Sequence, residues 1–258
     1  GLQLAPFGWM ATLPVMGYVV GGALSTPLVA QTQRRWGRQV SFQIGLVVAL
    51  LSALLCAWAA FQGNFWLLCL ATLVAGYYSA NGQLYRFAAA ELTSAAHREK
   101  AVSLVLAGGL LGAVAGPNLA SQARDLFSVP FAGAYLALVV VALLSMACMA
   151  AIRFEALPAS TTGSAGQGRS LAELMREPVF LVAVLGAALG YGVMNLLMAA
   201  TPLAMQVCGY AFSDAAFVLQ WHVIGWSGPN VTAQVATPLA RGQPRRANPA
   251  PKIRGCWK

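Results

Sequence analysis

The chain has 258 residues, 59% hydrophobic and 9% charged, with a mean hydropathy of +0.67 and a formal net charge of +9. A soluble globular domain carries about 25% charged residues, so these values exclude the ordinary water-soluble classes and place the chain among polytopic membrane proteins. The positive charge does not point to nucleic acid either, because the basic residues sit in short loops between apolar runs and in a C-terminal tail.

A helix needs about 20 mainly apolar residues to span a bilayer. The sequence offers seven such runs: Trp9–Gln31, Val40–Phe61, Phe65–Tyr85, Ala101–Ser121, Phe131–Ile152, Pro178–Ala199 and Ser213–Thr237. No charge occurs from Gly1 to Gln33, and after Arg38 the next is Arg86. Between these stretches lies Gln33-Arg34-Arg35-Trp36-Gly37-Arg38. A charge at the hydrocarbon centre costs about 2.5–3.5 kcal/mol on insertion scales, so the arginines mark the polar end of two spans joined by a tight turn at Gly37. Gln62-Gly63-Asn64 joins the second and third runs and predicts a close antiparallel hairpin. No basic n-region precedes the first run, so no cleavable signal peptide is read, and the chain is expected to begin inside a longer protein.

The basic residues also orient the runs. Arg34, Arg35, Arg38, Arg86, Arg98, Lys100, Arg153, Arg169 and Arg176 fall on one side, and Arg124 alone falls on the other. Nine against one is a strong positive-inside asymmetry, which predicts a cytoplasmic loop at Arg34–Arg38 in a multi-pass inner-membrane protein. Residues 153–177 form the longest hydrophilic segment, a candidate cytoplasmic linker with a flexible Gly/Ser-rich centre. Within it, Ser170-Leu-Ala-Glu173 has capping-box spacing and predicts a short surface helix carrying Leu171, Leu174 and Met175. The five cysteines, Cys56, Cys69, Cys148, Cys208 and Cys256, have neither CxxC nor metal-ligand spacing and read as small buried hydrophobes.

Two motifs carry a family resemblance. Arg34-Arg35-Trp36-Gly37-Arg38 resembles the loop signature G-x-x-x-D-R-x-G-R-R/K of the major facilitator superfamily (MFS). Arg35, Gly37 and Arg38 match, whereas Ala30, Arg34 and Gln39 replace the first glycine, the aspartate and the final base. In the family that aspartate helps latch two helical bundles, so its replacement by Arg34 implies a different latch here. In the fourth run, Gly108, Gly112 and Gly116 recur at i, i+4 and i+8 and Pro117 follows, which is expected to end the helix with a bend. A small-xxx-small packing face is the plain reading of that spacing. It also resembles the glycine-proline motif on the fifth helix of the drug/proton antiporter branch. If the first run is the family's second helix, this run is its fifth, and motif register, orientation and linker position agree.

The resemblance covers most of the chain from Trp9 to about Gly225. It implies an all-α fold of MFS-type bundles holding seven of twelve expected helices, family helices 2 to 8. Residues 1–152 would form an N-terminal bundle lacking its first helix, 153–177 the linker, and 178–240 the start of a C-terminal bundle. Residues 241–258, rich in Pro and Arg, read as a shifted frame, with a nucleic-acid arm or lipid-binding patch as the alternative. The resemblance further implies a monomer when complete, a small-molecule substrate, and no cofactor beyond a possible proton gradient.

Intramembrane polar residues face bundle interiors or cavities, which selects the candidate pathway. In the third run these are Tyr77, Asn81, Gln83 and Arg86, with Tyr85 on the face of Tyr77 and Asn81. Arg86 reads either as an anchor reaching to the interface or as a pathway cation. Tyr191 and Asn195 lie one turn apart in the sixth run, and Gln220 and His222 follow Asp214 in the seventh. His222 reads as either a hydrogen-bonded structural histidine or a proton carrier. His97, in a charged loop, reads as solvated.

No Ser-His-Asp context, in-span carboxylate pair, phosphate loop or metal set is visible, and no soluble nucleotide domain fits. The expected function is therefore secondary transport of a small solute by alternating access, proton-coupled efflux included. The alternatives are an inactive fragment, with half the cavity missing, and an intramembrane enzyme. Sequencing the coding region upstream of Gly1 and around Gly225 is expected to reveal an intact frame with one further helix before and four after. A natural product ending at Lys258 after seven spans would remove the basis for a two-bundle mechanism.

Overall fold

The computed structural model describes residues 1–94, 97–152 and 171–225, without side-chain detail at 171 and 172. Within them the regular structure is helical, with no strand. After a 3₁₀ turn at Gly8–Thr12 come α1 (Leu13–Gln62), α2 (Phe65–Gly82), α3 (Tyr85–Glu91), α4 (Arg98–Ala123), α5 (Ala132–Ala151), α6 (Leu171–Leu174) and α7 (Pro178–Val207). Residues 212–225 are helical too, and are termed α8. Arg153, Arg169, Ser170, the centre of the linker and the tail from residue 226 lie outside the described residues.

The nominal 50 residues of α1 are two spans. Gly37 leaves helical geometry, with φ 78° and ψ 173°, a conformation glycine adopts without a Cβ clash. Thr32 and Ser41 would stand about 13 Å apart along a straight helix, yet their hydroxyl oxygens are 3.0 Å apart. The chain therefore folds back at Gly37, and each arm is long enough to cross a bilayer. A second reversal follows directly. Gly63 adopts the left-handed conformation (φ 63°), and the Asn64 side chain accepts the Leu67 N–H at 3.0 Å to start α2.

Both arms of α1 pack on α2 through small residues. A Cβ on Gly76 would fall onto the backbone of Gly21 and Gly22, and one on Gly45 would collide with the Asn81 side chain. At the far end Cys56, Ala59, Leu68 and Ala71 form a buried cluster. Water-driven burial contributes little between helices in lipid, so such close backbone approach is what holds them. α5 lies along the second arm of α1, where Gln39 and Gln43 donate to the carbonyls of Ile152 and Met146 at 3.0 and 3.1 Å. α4 contacts α3 and α5.

Segments Gly8–Gln62, Arg98–Ala123, Ala132–Ala151 and Pro178–Val207 are each long and apolar enough to cross a membrane. α7 buries none of its residues, and Leu185, Leu189 and Leu196 stand 59%, 70% and 63% exposed. Such a surface suits lipid and not water. The chain is an all-α, multi-pass membrane protein.

Several boundaries differ from the sequence reading. The first helix starts at Leu13 and not at Trp9, because the chain enters through the 3₁₀ turn. The third ends at Gly82, where Asn81 and Gly82 are poor helix formers, and resumes as α3. Pro117 does not end α4, which runs on to Ala123. The Asn118 side chain donates to the Val114 carbonyl at 2.7 Å in the same turn, and a membrane helix tolerates an internal proline because the surrounding backbone has no water to bond to instead. α7 likewise continues through Pro202 to Val207. Cys56 is buried, but Cys148 in α5 and Cys208 directly after α7 are exposed, so burial does not extend to all the cysteines.

The approach of Gly76 to Gly21 and Gly22 makes a direct prediction. Gly76→Val overpacks the contact and destabilises the purified protein by about 1–3 kcal/mol, lowering its thermal midpoint in detergent. An unchanged midpoint would show that the helices do not approach this closely.

Candidate functional site

The polar residues of α2 meet the fold-back of α1. Tyr77 Oη lies 3.1 Å from Thr32 Oγ1, which is 3.0 Å from Ser41 Oγ and donates to the Val29 carbonyl at 2.8 Å. One helix turn on, fully buried Asn81 donates through Nδ2 to the Ser41 carbonyl at 2.6 Å. Gly45 makes room for that amide. The Tyr85 ring packs edge-on against Phe42, with centroids 4.7 Å apart. Asn81 Oδ1 and Tyr85 Oη are buried without a hydrogen-bond partner. Uncompensated buried polar atoms cost about 1–3 kcal/mol each, so these two atoms are a local cost at the fold-back end of the bundle.

The loop motif closes over this cluster. Arg38 donates to Glu91 Oε1 at 2.5 Å, joining the hinge to the end of α3. Gly37 supplies the reversal and Arg35 is exposed. Gln83 is exposed, and exposed Arg86 places its guanidinium carbon 5.0 Å from the ring centroid of its neighbour Phe87. Neither joins the Tyr77–Asn81 cluster.

The other candidates lie elsewhere. Asn195 donates to the carbonyl of Tyr191, one turn back on α7 at 2.8 Å, so this pair is satisfied within its own helix. Gln220 of α8 accepts from Asn118 of α4 at 3.0 Å, linking the first five spans to a later helix. His222 is exposed one turn-half beyond. Gly108, Gly112 and Gly116 have no described atom within 4 Å of where a Cβ would stand, so the groove along α4 is open. A cavity of about 630 Å³ lies at the end opposite the arginine loop, walled by the N-terminal segment Gly1–Leu4, the α4–α5 connection from Arg124 to Phe131, the adjoining ends of α1, α2, α5 and α7, and the start of α8.

Thr32, Ser41 and Asn118 did not emerge from the sequence as site residues. For the first two the available signal was a pair of hydroxyls flanking a glycine hinge. For Asn118 it was an amide directly after Pro117.

Helical arms folded back at a glycine beside an arginine-rich loop, polar residues meeting between the spans and long, apolar, outward-facing helices define a polytopic helical membrane protein. The chain belongs to the Major Facilitator Superfamily, whose family model matches residues 1–241. That match continues through Gly228-Pro229-Asn230, past the point near Gly225 where the sequence changes character. The chain is similar to the riboflavin transporter RfnT of Brucella anthropi, with 33% identity over 233 residues, covering 89% of this chain and 58% of that protein. Two uncharacterized MFS-type transporters of Bacillus subtilis are also similar. YdeG is 30% identical over 115 residues (45% of this chain, 27% of YdeG), and YddS is 24% identical over 230 residues (83% and 52%). The chain thus spans little more than half the length of these relatives at most.

Arg38 and Glu91 are partly exposed, with 23% and 38% of their side chains accessible. A solvated pair of this kind contributes about 0.2–1 kcal/mol. A double-mutant cycle of Arg38→Ala and Glu91→Ala on unfolding free energy is expected to give a coupling in that range. A coupling of several kcal/mol would show the pair to be a buried brace.

Proposed function

We propose that these residues belong to a secondary transporter that moves a small planar solute, with riboflavin as the first compound to test, by alternating access between two helical bundles. The observation that carries this reading is the similarity to RfnT, which runs through 89% of the chain and so includes helices on both sides of the linker. The cavity between early and late helices supports this reading, since rocking of one bundle against the other acts on a site between them. The loop at Arg34–Arg38 is read as cytoplasmic, following its excess of arginine.

Coupling to protons in the direction of export is part of the proposal, with His222 as the proton-carrying side chain. Apart from the loop arginines, α1, α2, residues 101–123 of α4, α5 and α7 contain no Asp, Glu, His, Lys or Arg, whereas α8 carries Asp214 and His222. The Asp214 carboxylate accepts the Ala211 N–H at 3.2 Å at the helix start, an occupied capping role. Imidazole exchanges protons near neutral pH, which suits a coupling group.

The test uses the full-length protein in proteoliposomes. Riboflavin counterflow without a gradient is expected, together with gradient-driven accumulation that a protonophore abolishes. His222→Gln is expected to keep counterflow and to reduce driven accumulation to about a tenth or less, as loss of a proton-transfer group does. Absence of riboflavin counterflow refutes the substrate. Undiminished accumulation in His222→Gln refutes the coupling role.

A further inference from the structure

The cavity opposite the arginine loop contains the one basic residue that breaks the charge asymmetry of the sequence. Arg124, at the end of α4, holds its guanidinium carbon 5.1 Å from the ring centroid of Phe131 and 5.3 Å from that of Phe212. The two rings meet edge to face with centroids 5.2 Å apart and planes at 79°. Phe131 precedes α5 and Phe212 opens α8, so one cation rests on aromatic faces from both sides of the linker. Both contacts fall within the roughly 6 Å over which a cation is attracted to a ring face.

This corner is held in a costly shape. Phe131 has φ +68°, left-handed for a residue with a bulky side chain, which costs about 1–2 kcal/mol. Its N–H donates to the Arg124 carbonyl at 3.0 Å, so the backbone that strains Phe131 also fixes its ring beside the guanidinium. Arg124 Nε is buried and makes no hydrogen bond. Its nearest carboxylate oxygen, in the exposed side chain of Asp125, is 3.4 Å away. A planar cation, with an exposed carboxylate beside its Nε, is thus present in the wall of an aromatic cavity.

Tyr135, Tyr210 and Gln206 complete the relevant wall. The volume of about 630 Å³ lies within the range of about 300–1,000 Å³ for sites that bury drug-sized ligands. Aromatic faces recognise flat rings by offset stacking, and a guanidinium adds both a stacking plane and donors for a carbonyl or ring-nitrogen edge. An aliphatic polyol would satisfy neither. We propose that this outer cavity is a binding site for a planar aromatic solute with an electron-rich edge, recognised by Arg124 and Phe212. A ring seated there would replace part of the Arg124–Phe212 contact and touch residues from both sides of the linker, so occupancy would act on how closely the two sides approach.

This inference rests on the transporter reading, and its test separates the two. The full-length protein in detergent is titrated with lumiflavin, which has the flavin ring system without the ribityl chain, and followed by quenching of flavin fluorescence. Lumiflavin is expected to bind, and ribitol is expected not to displace it. Arg124→Gln and Phe212→Ala are each expected to weaken binding about tenfold, the loss of one cation–ring and one stacking contact. Arg124→Lys keeps the charge but loses the planar fork and is expected to weaken binding about threefold. It also serves as the readable variant if Arg124→Gln fails to fold. Unchanged affinity in folded variants overturns the site. So does failure of the wild-type protein to bind lumiflavin, and riboflavin counterflow in the same preparation then decides whether the transport reading falls with it.

Discussion

The structure depends on the fold-back of α1 at Gly37. A bilayer offers no water to the backbone, so the chain can change direction only near an interface, where charge is tolerated. Gly37 provides the backbone freedom and the arginines around it keep the turn at the polar boundary. Once the arms are antiparallel, Thr32 and Ser41 face each other at 3.0 Å and their hydroxyls satisfy each other inside the bundle. α2 then has a fixed place, because Tyr77 and Asn81 find partners only there. A single glycine conformation thus determines the neighbours of three spans.

Packing and polarity act on that arrangement in different ways. The glycines at 21, 22, 45 and 76 let backbones approach and set the distance between helices. The hydrogen bonds set the register, since a shift of one residue would take Asn81 away from Ser41 and leave a buried amide unpaired. Distance without register would permit sliding, and register without distance would leave voids. The two constraints coincide at Gly45, whose missing side chain is the space that Asn81 occupies.

The membrane class and the longest spans were legible in the sequence because a bilayer imposes length and apolarity on segments that cross it. All seven apolar runs are helical over their described residues, apart from short departures at their ends. Helix ends were less legible. Pro117 read as a stop by the rules of soluble helices, whereas α4 runs through it to Ala123, since a bilayer gives the backbone nowhere else to hydrogen-bond. The site was legible only in part. Tyr77 and Asn81 stood out as polar residues within a span, but Thr32 and Ser41 are ordinary in helices, since a hydroxyl can bond to its own backbone. Only the fold-back brings them together, with Thr32 pairing with Tyr77 and Ser41 with Thr32. Gln220 was visible as a polar residue, while its partner Asn118 was hidden 102 positions away.

Arg124 shows how one residue can be read correctly and incompletely at once. As a charge it was the single exception to the positive-inside pattern, and a count needs no reason for an exception. The structure supplies a reason: two aromatic faces hold the cation at the rim, away from the hydrocarbon centre. Its ring partners Phe131 and Phe212 are 81 residues apart in number and lie on opposite sides of the linker. Beneath them Asn118 and Gln220 join the same two sides by a hydrogen bond. Among the described residues, the joins between the two sides include the Phe131–Phe212 ring pair with Arg124 on it and the Asn118–Gln220 amide pair, both at the end away from the arginine loop. Contacts of these kinds are individually modest, about 0.5–2 kcal/mol. Joins of this size favour one approach of the two sides without locking it.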